Sequence, residues 1–225
     1  MLKSLNIESK FIQGLRVTDS KTMEVAQMVL CGSINKELCG KLSGLDGIRG
    51  AIGLSGLDGK LITAKKIVKV SKNEQGIEEK VDLGLVGDPI GVNTGILQDL
   101  LSLSLVPIIA PIGYNVEGGG SLNINADTAA GAVAEALKAD RLLLLTDVTG
   151  VLDKDKKLIE VIRSSQLSTM VQDGTITGGM IPKLETATQA VEAGAGIVTI
   201  LDGRVKYSVL KALSGENFGT RIVKG

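Results

Sequence analysis

The chain has 225 residues, in which 25 Lys and Arg balance 25 Asp and Glu, with two Tyr, two Phe, no Trp and no His. A formal charge of zero, with no basic stretch interleaved with aromatics, argues against nucleic acid or an anionic membrane as main partners, because both require clustered cations. The absence of His removes Ser-His-Asp triads, Cys-His dyads and most zinc sites, leaving Lys, Arg, Asp, Asn, Ser and backbone amides for any chemistry.

Apolar residues at Met23, Val25, Ala26, Met28, Val29, Leu30, Ile34 and Leu38 predict one long helix over 22–42, capped by Asp19 or Ser20. Cys31 and Cys39, eight apart in it, match neither a CxxC motif nor a disulfide framework and are expected to be reduced core thiols. A short strand over 48–54 is expected next, then a turn at Ser55 to Gly59. Partial alternation over 61–70 and 79–86, around Lys72 to Gly76, suggests a hairpin lying outside the main sheet. Helix and strand then alternate: helix 94–104, strand 105–112, helix 127–138, strand 141–146, helices near 165–172 and 181–193, strand 196–201, helix 205–213 and a strand near 219–223. The strands at Leu105 to Ala110 and Leu142 to Leu145 are apolar throughout, as parallel strands buried on both faces are. The class is therefore α/β with a mostly parallel sheet, and ligands are expected beyond the carboxyl ends of its strands.

Neither GxxxxGK[ST] nor GxGxxG occurs. Gly118 to Gly120 is a candidate phosphate cradle, but a hairpin tip between Ile112 and Leu122 is the better reading, because no helix follows directly. Thr177 to Lys183 leads two glycines and Pro182 into a helix with a Lys beside its start: either an anion site, or a helix junction with a solvated Lys183. Asn123 and Asn125 fall on one side of an extended segment, and Asp127 stands at a helix start, where an N-cap is the default role. Thr146 to Leu152 follows a strand and is a nucleoside site or a turn. Arg16 stands just ahead of a helix, as a carboxylate clamp or as a surface partner of Asp19.

Taken together, GLRVTD (14–19), SINK (33–36), GLSGLDG (53–59), PIIAPIG (107–113), NINADTAAG (123–131), LLLLTDVTGVLD (142–153), TGGMIPK (177–183) and LDGR (201–204) resemble the acetylglutamate kinases of the amino acid kinase fold, in family order over nearly the whole chain. The resemblance implies a three-layer αβα sandwich around a mostly parallel open sheet. It implies one domain over 1–225, in which 1–120 is the amino-acid half and 121–225 the nucleotide half. It implies transfer of a phosphoryl group from ATP, with Mg2+ held mainly through the nucleotide phosphates and no protein metal site, to the side-chain carboxylate of N-acetyl-L-glutamate, in arginine biosynthesis. By motif, Arg16 and Asn123 would hold the amino-acid substrate, Asp127 would organise the catalytic lysines, and Lys183 would stabilise the transferring phosphoryl group. Asp147, Val148, Thr149, Gly150, Val151 and Leu152, with Thr175, Ile176 and Thr177, would line the nucleotide pocket.

The family carries a Lys-x-Gly-Gly strand and a His-Gly-Gly-Gly strand ahead of GLRVTD, and Met1 corresponds to a point after both. An N-terminally shortened kinase is thus expected, with a catalytically silent nucleotide- or amino-acid-binding relative as the alternative and an exposed sheet edge as one consequence. Tyr207 stands where the family usually has His, and Asn217 to Thr220 lacks the first Gly of Gly-x-Gly-Thr, so arginine feedback is not expected. A homodimer is expected. No run approaches the roughly 20 apolar residues of a membrane span, no h-region or lipidation box is seen, and a cytoplasmic location is expected.

Overall fold

The computed structural model describes residues 1–8, 10–12, 15–72 and 78–225. The chain divides into two compact units, Met1–Ala129 and Ala130–Gly225.

In the first unit, β1 (Phe11–Ile12) pairs antiparallel with β2 (Leu15–Arg16) and leads into α1 (Ser20–Gln27). Asp19 starts that helix: its carboxylate accepts the Thr22 amide at 2.7 Å, filling one of the donors that a helix start leaves open. Helical backbone continues through a π-helical segment, Met28–Ile34, into α2 (Asn35–Leu42). The π turns hold more residues per turn than the 3.6-residue pattern assumes, so the apolar face expected along 22–42 does not stay aligned. Met23 and Val25 are buried, whereas Met28, Ile34 and Leu38 are exposed. Cys31 and Cys39 are free thiols, as expected, but half-buried rather than in the core.

After these come β3 (Gly50–Gly56), β4 (Ile62–Lys72), β5 (Glu78–Val92), α3 (Thr94–Ser102), β6 (Leu105–Asn115), β7 (Ser121–Asn123) and the start of α4 (Ala126–Leu137), whose residues from Ala130 onward belong to the second unit. The strands form one sheet in the order β3-β6-β4-β5-β7, with β7 also pairing β6. β3 runs parallel to β6, placing Leu54 opposite Ile109, and β4 runs parallel to β6, placing Thr63 opposite Tyr114. The hairpin expected outside the sheet is therefore built into it. Leu61, Ile62, Ala64, Leu83 and Val86 explain why: they are buried, and a hairpin standing outside the sheet would leave such apolar side chains in water. Residues 73–77, which include most of the polar segment expected at the hairpin's tip, lie outside the described residues. Gly119 and Gly120 take φ of 72° and 77° in the β6–β7 hairpin, as the hairpin-tip reading requires.

The second unit contains β8 (Arg141–Thr146), β9 (Val161–Arg163), α5 (Leu167–Gln172), α6 (Met180–Glu192), β10 (Ile197–Asp202), α7 (Ser208–Leu213) and β11 (Thr220–Val223). Its sheet order is β8-β10-β11-β9, with only β10 and β11 antiparallel. Leu184, Ala187, Ala190 and Val191 recur at helical spacing on α6 and share one core with Val198, Ile200 and Ile222 of the sheet. Each buried Leu, Ile or Val there contributes about 1.5–3 kcal/mol. β8 departs from the sequence expectation of burial on both faces. Leu144 is buried but Leu145 is 48% exposed, because β8 is an edge strand paired only with β10 among the described residues.

Candidate active site

Thr18 assembles the first group of candidate residues. It is fully buried, donates its amide to the Leu83 carbonyl at 2.9 Å and accepts the Leu85 amide at 2.6 Å, so the segment after β2 is tied to β5. The approach needs glycine at position 84: φ there is +75°, and a β-carbon would overlap the Thr18 carbonyl oxygen. The Thr18 hydroxyl donates to the Arg16 carbonyl at 3.0 Å and accepts the Asn123 amide at 3.2 Å. Arg16 and Asn123, 107 positions apart in the numbering (123 − 16), thereby reach one cavity of about 480 Å³, which Lys3, Thr22, Val25 and Val29 also line.

The Arg16 guanidinium lies 4.4 Å over the Phe11 ring, and its Nη1 is buried with no hydrogen-bond partner. A buried guanidinium donor without a partner requires a reason, since leaving one unsatisfied is costly. Together with the Asn123 amide it is a donor set suited to a carboxylate. The alternative of Arg16 as partner to Asp19 does not describe the site, because hydrogen bonds from Thr22 hold the Asp19 carboxylate and keep its pKa below the usual range. Gly14, the first residue of the GLRVTD motif, lies outside the described residues.

The start of α4 differs from expectation. Asn125, not Asp127, is the cap: its Oδ1 accepts the amides of Asp127 at 3.0 Å and Thr128 at 3.2 Å. The two asparagines therefore do not act as a pair, because Asn125 is used in the cap while Asn123 bonds to Thr18. Asp127 is the second residue of α4, where the helix dipole favours a carboxylate.

In the second unit the 147–152 loop follows β8. Gly203 donates its amide to the Thr146 carbonyl at 2.9 Å, which staples the chain after β10 to the end of β8. Asp202, buried at the end of β10, accepts Arg204 Nε at 2.9 Å, Nη2 at 2.8 Å and the Arg204 amide at 2.9 Å. This fork and the backbone bond bring the Asp202 pKa down to about 2, and Asp202, with Asp147 adding to it, raises that of Arg204. Val148 and Leu152 are partly exposed while Val151 is buried.

Thr175 donates its amide and hydroxyl to Asp173 Oδ1 at 2.8 and 2.6 Å, and Asp173 pairs with Lys154 at 3.8 Å, so 175–177 lies beside the chain that follows the loop. Val151 and Ile176 share the same apolar core, so their side chains are structural and only their backbone remains for a ligand. Lys183 is the half-buried fourth residue of α6, and Pro182 is the third. Thr18 and a second buried threonine, Thr220, lie within quoted segments, GLRVTD and 217–220, but nothing local in the sequence marks their side-chain partners.

The model of the amino acid kinase family matches residues 1–202. The acetylglutamate kinase of Rhizorhabdus wittichii is 48% identical over 227 residues, taking in 100% of this chain and 74% of that protein. That of Parvibaculum lavamentivorans is 50% identical, over 100% of this chain and 73% of its own length. Among solved structures, smu.665 from Streptococcus mutans UA159 matches with a TM-score of 0.76 at 32% identity, covering 100% of this chain and 80% of that one.

Proposed function

The chain belongs to the amino acid kinase family, with its α/β fold, and from that premise we propose that it transfers the γ-phosphoryl group of ATP to the side-chain carboxylate of N-acetyl-L-glutamate. This is the acyl-phosphate step of arginine biosynthesis. The geometric observation that carries the acceptor side is the buried, unpartnered Arg16 Nη1 on a cavity wall shared with Asn123.

In this reading Arg16 and Asn123, both in the first compact unit, orient the amino-acid substrate. The nucleotide site falls to the second unit, with Asp147, Val148, Thr149, Gly150, Val151 and Leu152 along one side and Thr175, Ile176 and Thr177 along the other. A carboxylate oxygen forms the new bond to the γ-phosphorus while the bond to the bridging oxygen of ADP breaks. No proton moves, so an ionised acceptor needs no general base and the chain needs no His. Lys183 places positive charge on the equatorial oxygens as they pass in line, and Asp127 orients the lysine side chains. When bound, magnesium would neutralise charge on the triphosphate, held mainly through the nucleotide phosphates.

A homodimer in the cytoplasm, without nucleic-acid or membrane partners, completes the proposal; among the described residues no helix is long and apolar enough to cross a membrane. The silent-relative alternative is not favoured, since the relatives matching the whole chain are named as kinases. Hydroxylamine trapping tests the reaction. Hydroxamate that requires both Mg-ATP and N-acetylglutamate, and is lost in Asp127→Ala, is the expected result; a folded chain that binds ATP and yields no hydroxamate would refute it.

A further inference from the structure

The 147–152 loop is held by one hydroxyl from the other end of the second unit. Thr220, fully buried at the start of β11, accepts the Val151 amide at 2.8 Å and donates to the Ile159 carbonyl at 2.7 Å. Ile159 in turn donates its amide to the Val151 carbonyl at 2.8 Å. One side chain thus satisfies a donor and an acceptor on two segments that have no strand pairing with β11 at those positions.

Two glycines make the contact possible. Gly150, at φ +145°, brings the loop so near that a β-carbon would stand 2.7 Å from the Thr220 hydroxyl. Gly219, at φ +85°, lets the chain enter β11 where a β-carbon would overlap the Ile200 carbonyl oxygen. The anchor falls at the buried end of the loop: Val151 is in the core, while Val148 is exposed.

We propose that Thr220 is a positioning residue for the nucleotide, whose hydroxyl sets the backbone of the 147–152 loop through the Val151 amide. The proposal rests on the assignment of that loop to nucleotide binding. An isosteric valine keeps the volume and removes both hydrogen bonds, leaving a buried amide and carbonyl unsatisfied; serine restores them.

The test is calorimetric binding of ATP and, separately, of N-acetylglutamate to the full chain and to Thr220→Val, Thr220→Ser and Val148→Glu. Thr220→Val is expected to weaken ATP about tenfold and leave N-acetylglutamate within about twofold, with Thr220→Ser close to the parent. Val148→Glu, which sets a carboxylate in the loop, is expected to weaken ATP as well. Normal ATP binding by Thr220→Val beside weakened binding by Val148→Glu overturns the role of Thr220 alone. Normal binding by Val148→Glu overturns the loop assignment and the proposal with it, and equal weakening of both ligands by Thr220→Val shows a merely structural threonine. Should Thr220→Val not fold, hydrogen exchange of the parent decides. A Val151 amide as protected as those of β11 supports the anchor, and one exchanging as fast as 147–149 overturns it.

Discussion

The side chain of Asn35 fills the space above Gly53 that any β-carbon at that position would occupy. Asn35 is buried, and its amide nitrogen donates to the Leu54 carbonyl at 3.2 Å and the Ile108 carbonyl at 2.8 Å, joining α2 to both β3 and β6. Gly53→Ala must displace it, so a loss of about 1–3 kcal/mol is expected, with Asn35→Ala costing a similar amount through two stranded carbonyls. Because the two changes remove the same contact, the double variant should be less destabilised than the sum by at least about 0.5 kcal/mol. Urea denaturation of the four proteins measures this, and strict additivity would contradict the contact.

Arg16 and Asn123 depend on each other through Thr18. Removing the guanidinium in Arg16→Ala should weaken N-acetylglutamate at least about tenfold, the scale of a lost charged hydrogen bond, and leave ATP nearly unchanged. Thr18→Val frees the Asn123 amide and the Arg16 carbonyl while preserving volume, so its effect should have the same selectivity and be smaller. Calorimetry with each ligand separates the two. Equal weakening of both ligands by Arg16→Ala would contradict the acceptor-side assignment.

These relationships also show what the sequence carries. The strand over 141–146 was legible as a short unbroken apolar run and the helix beginning near 181 by apolar residues at helical spacing, each between clear turn signals. The β4–β5 hairpin was legible as two strands but not as part of the sheet, because the pairing of Thr63 with Tyr114 is set by burial over a long separation. The π-helical turns after Gln27 leave no local mark, and β1 and β2, at two residues each, are too short to show alternation. At the helix start near 126, Asn125 and Asp127 are both good caps, and only the backbone decides between them. The site residues came from motif resemblance. The residues that hold them, Thr18 and Thr220, look ordinary until their partners are known.

Asp202 makes the second unit sensitive to acid. Its folded pKa, about 2, lies below the ordinary 3.8, mainly because Arg204 hydrogen-bonds to it. A depressed carboxylate contributes stability that is fully present above the unfolded pKa and is lost as pH falls toward the folded one. The Asp202 contribution should therefore be complete at about pH 5 and disappear by about pH 2. Asp202→Asn should remove that part of the acid dependence. Arg204→Ala should return the carboxylate toward its ordinary range and move the decline to higher pH. Thermal melts of the three proteins across this window check the order, and identical pH profiles would contradict the pairing.

Lys183 offers the sharpest separation between chemistry and fold. It sits in the first turn of α6, whose packing against the sheet comes from Leu184, Ala187, Ala190 and Val191 on the apolar stripe, so truncating a half-buried lysine leaves that stripe intact. If Lys183 carries charge to the phosphoryl group in flight, Lys183→Ala should lower turnover by about 100- to 1,000-fold, the scale measured when one positioned transition-state donor is lost. Ground-state binding of ATP should fall much less, because charge on the equatorial oxygens is redistributed most at the transition state. Far-UV circular dichroism should be unchanged and the melting temperature should shift by no more than a few degrees. Hydroxamate formation followed in parallel with ATP calorimetry gives both quantities from one preparation. Unchanged turnover would remove Lys183 from the mechanism, and a loss of ATP binding as large as the loss of turnover would make it a ground-state phosphate contact instead.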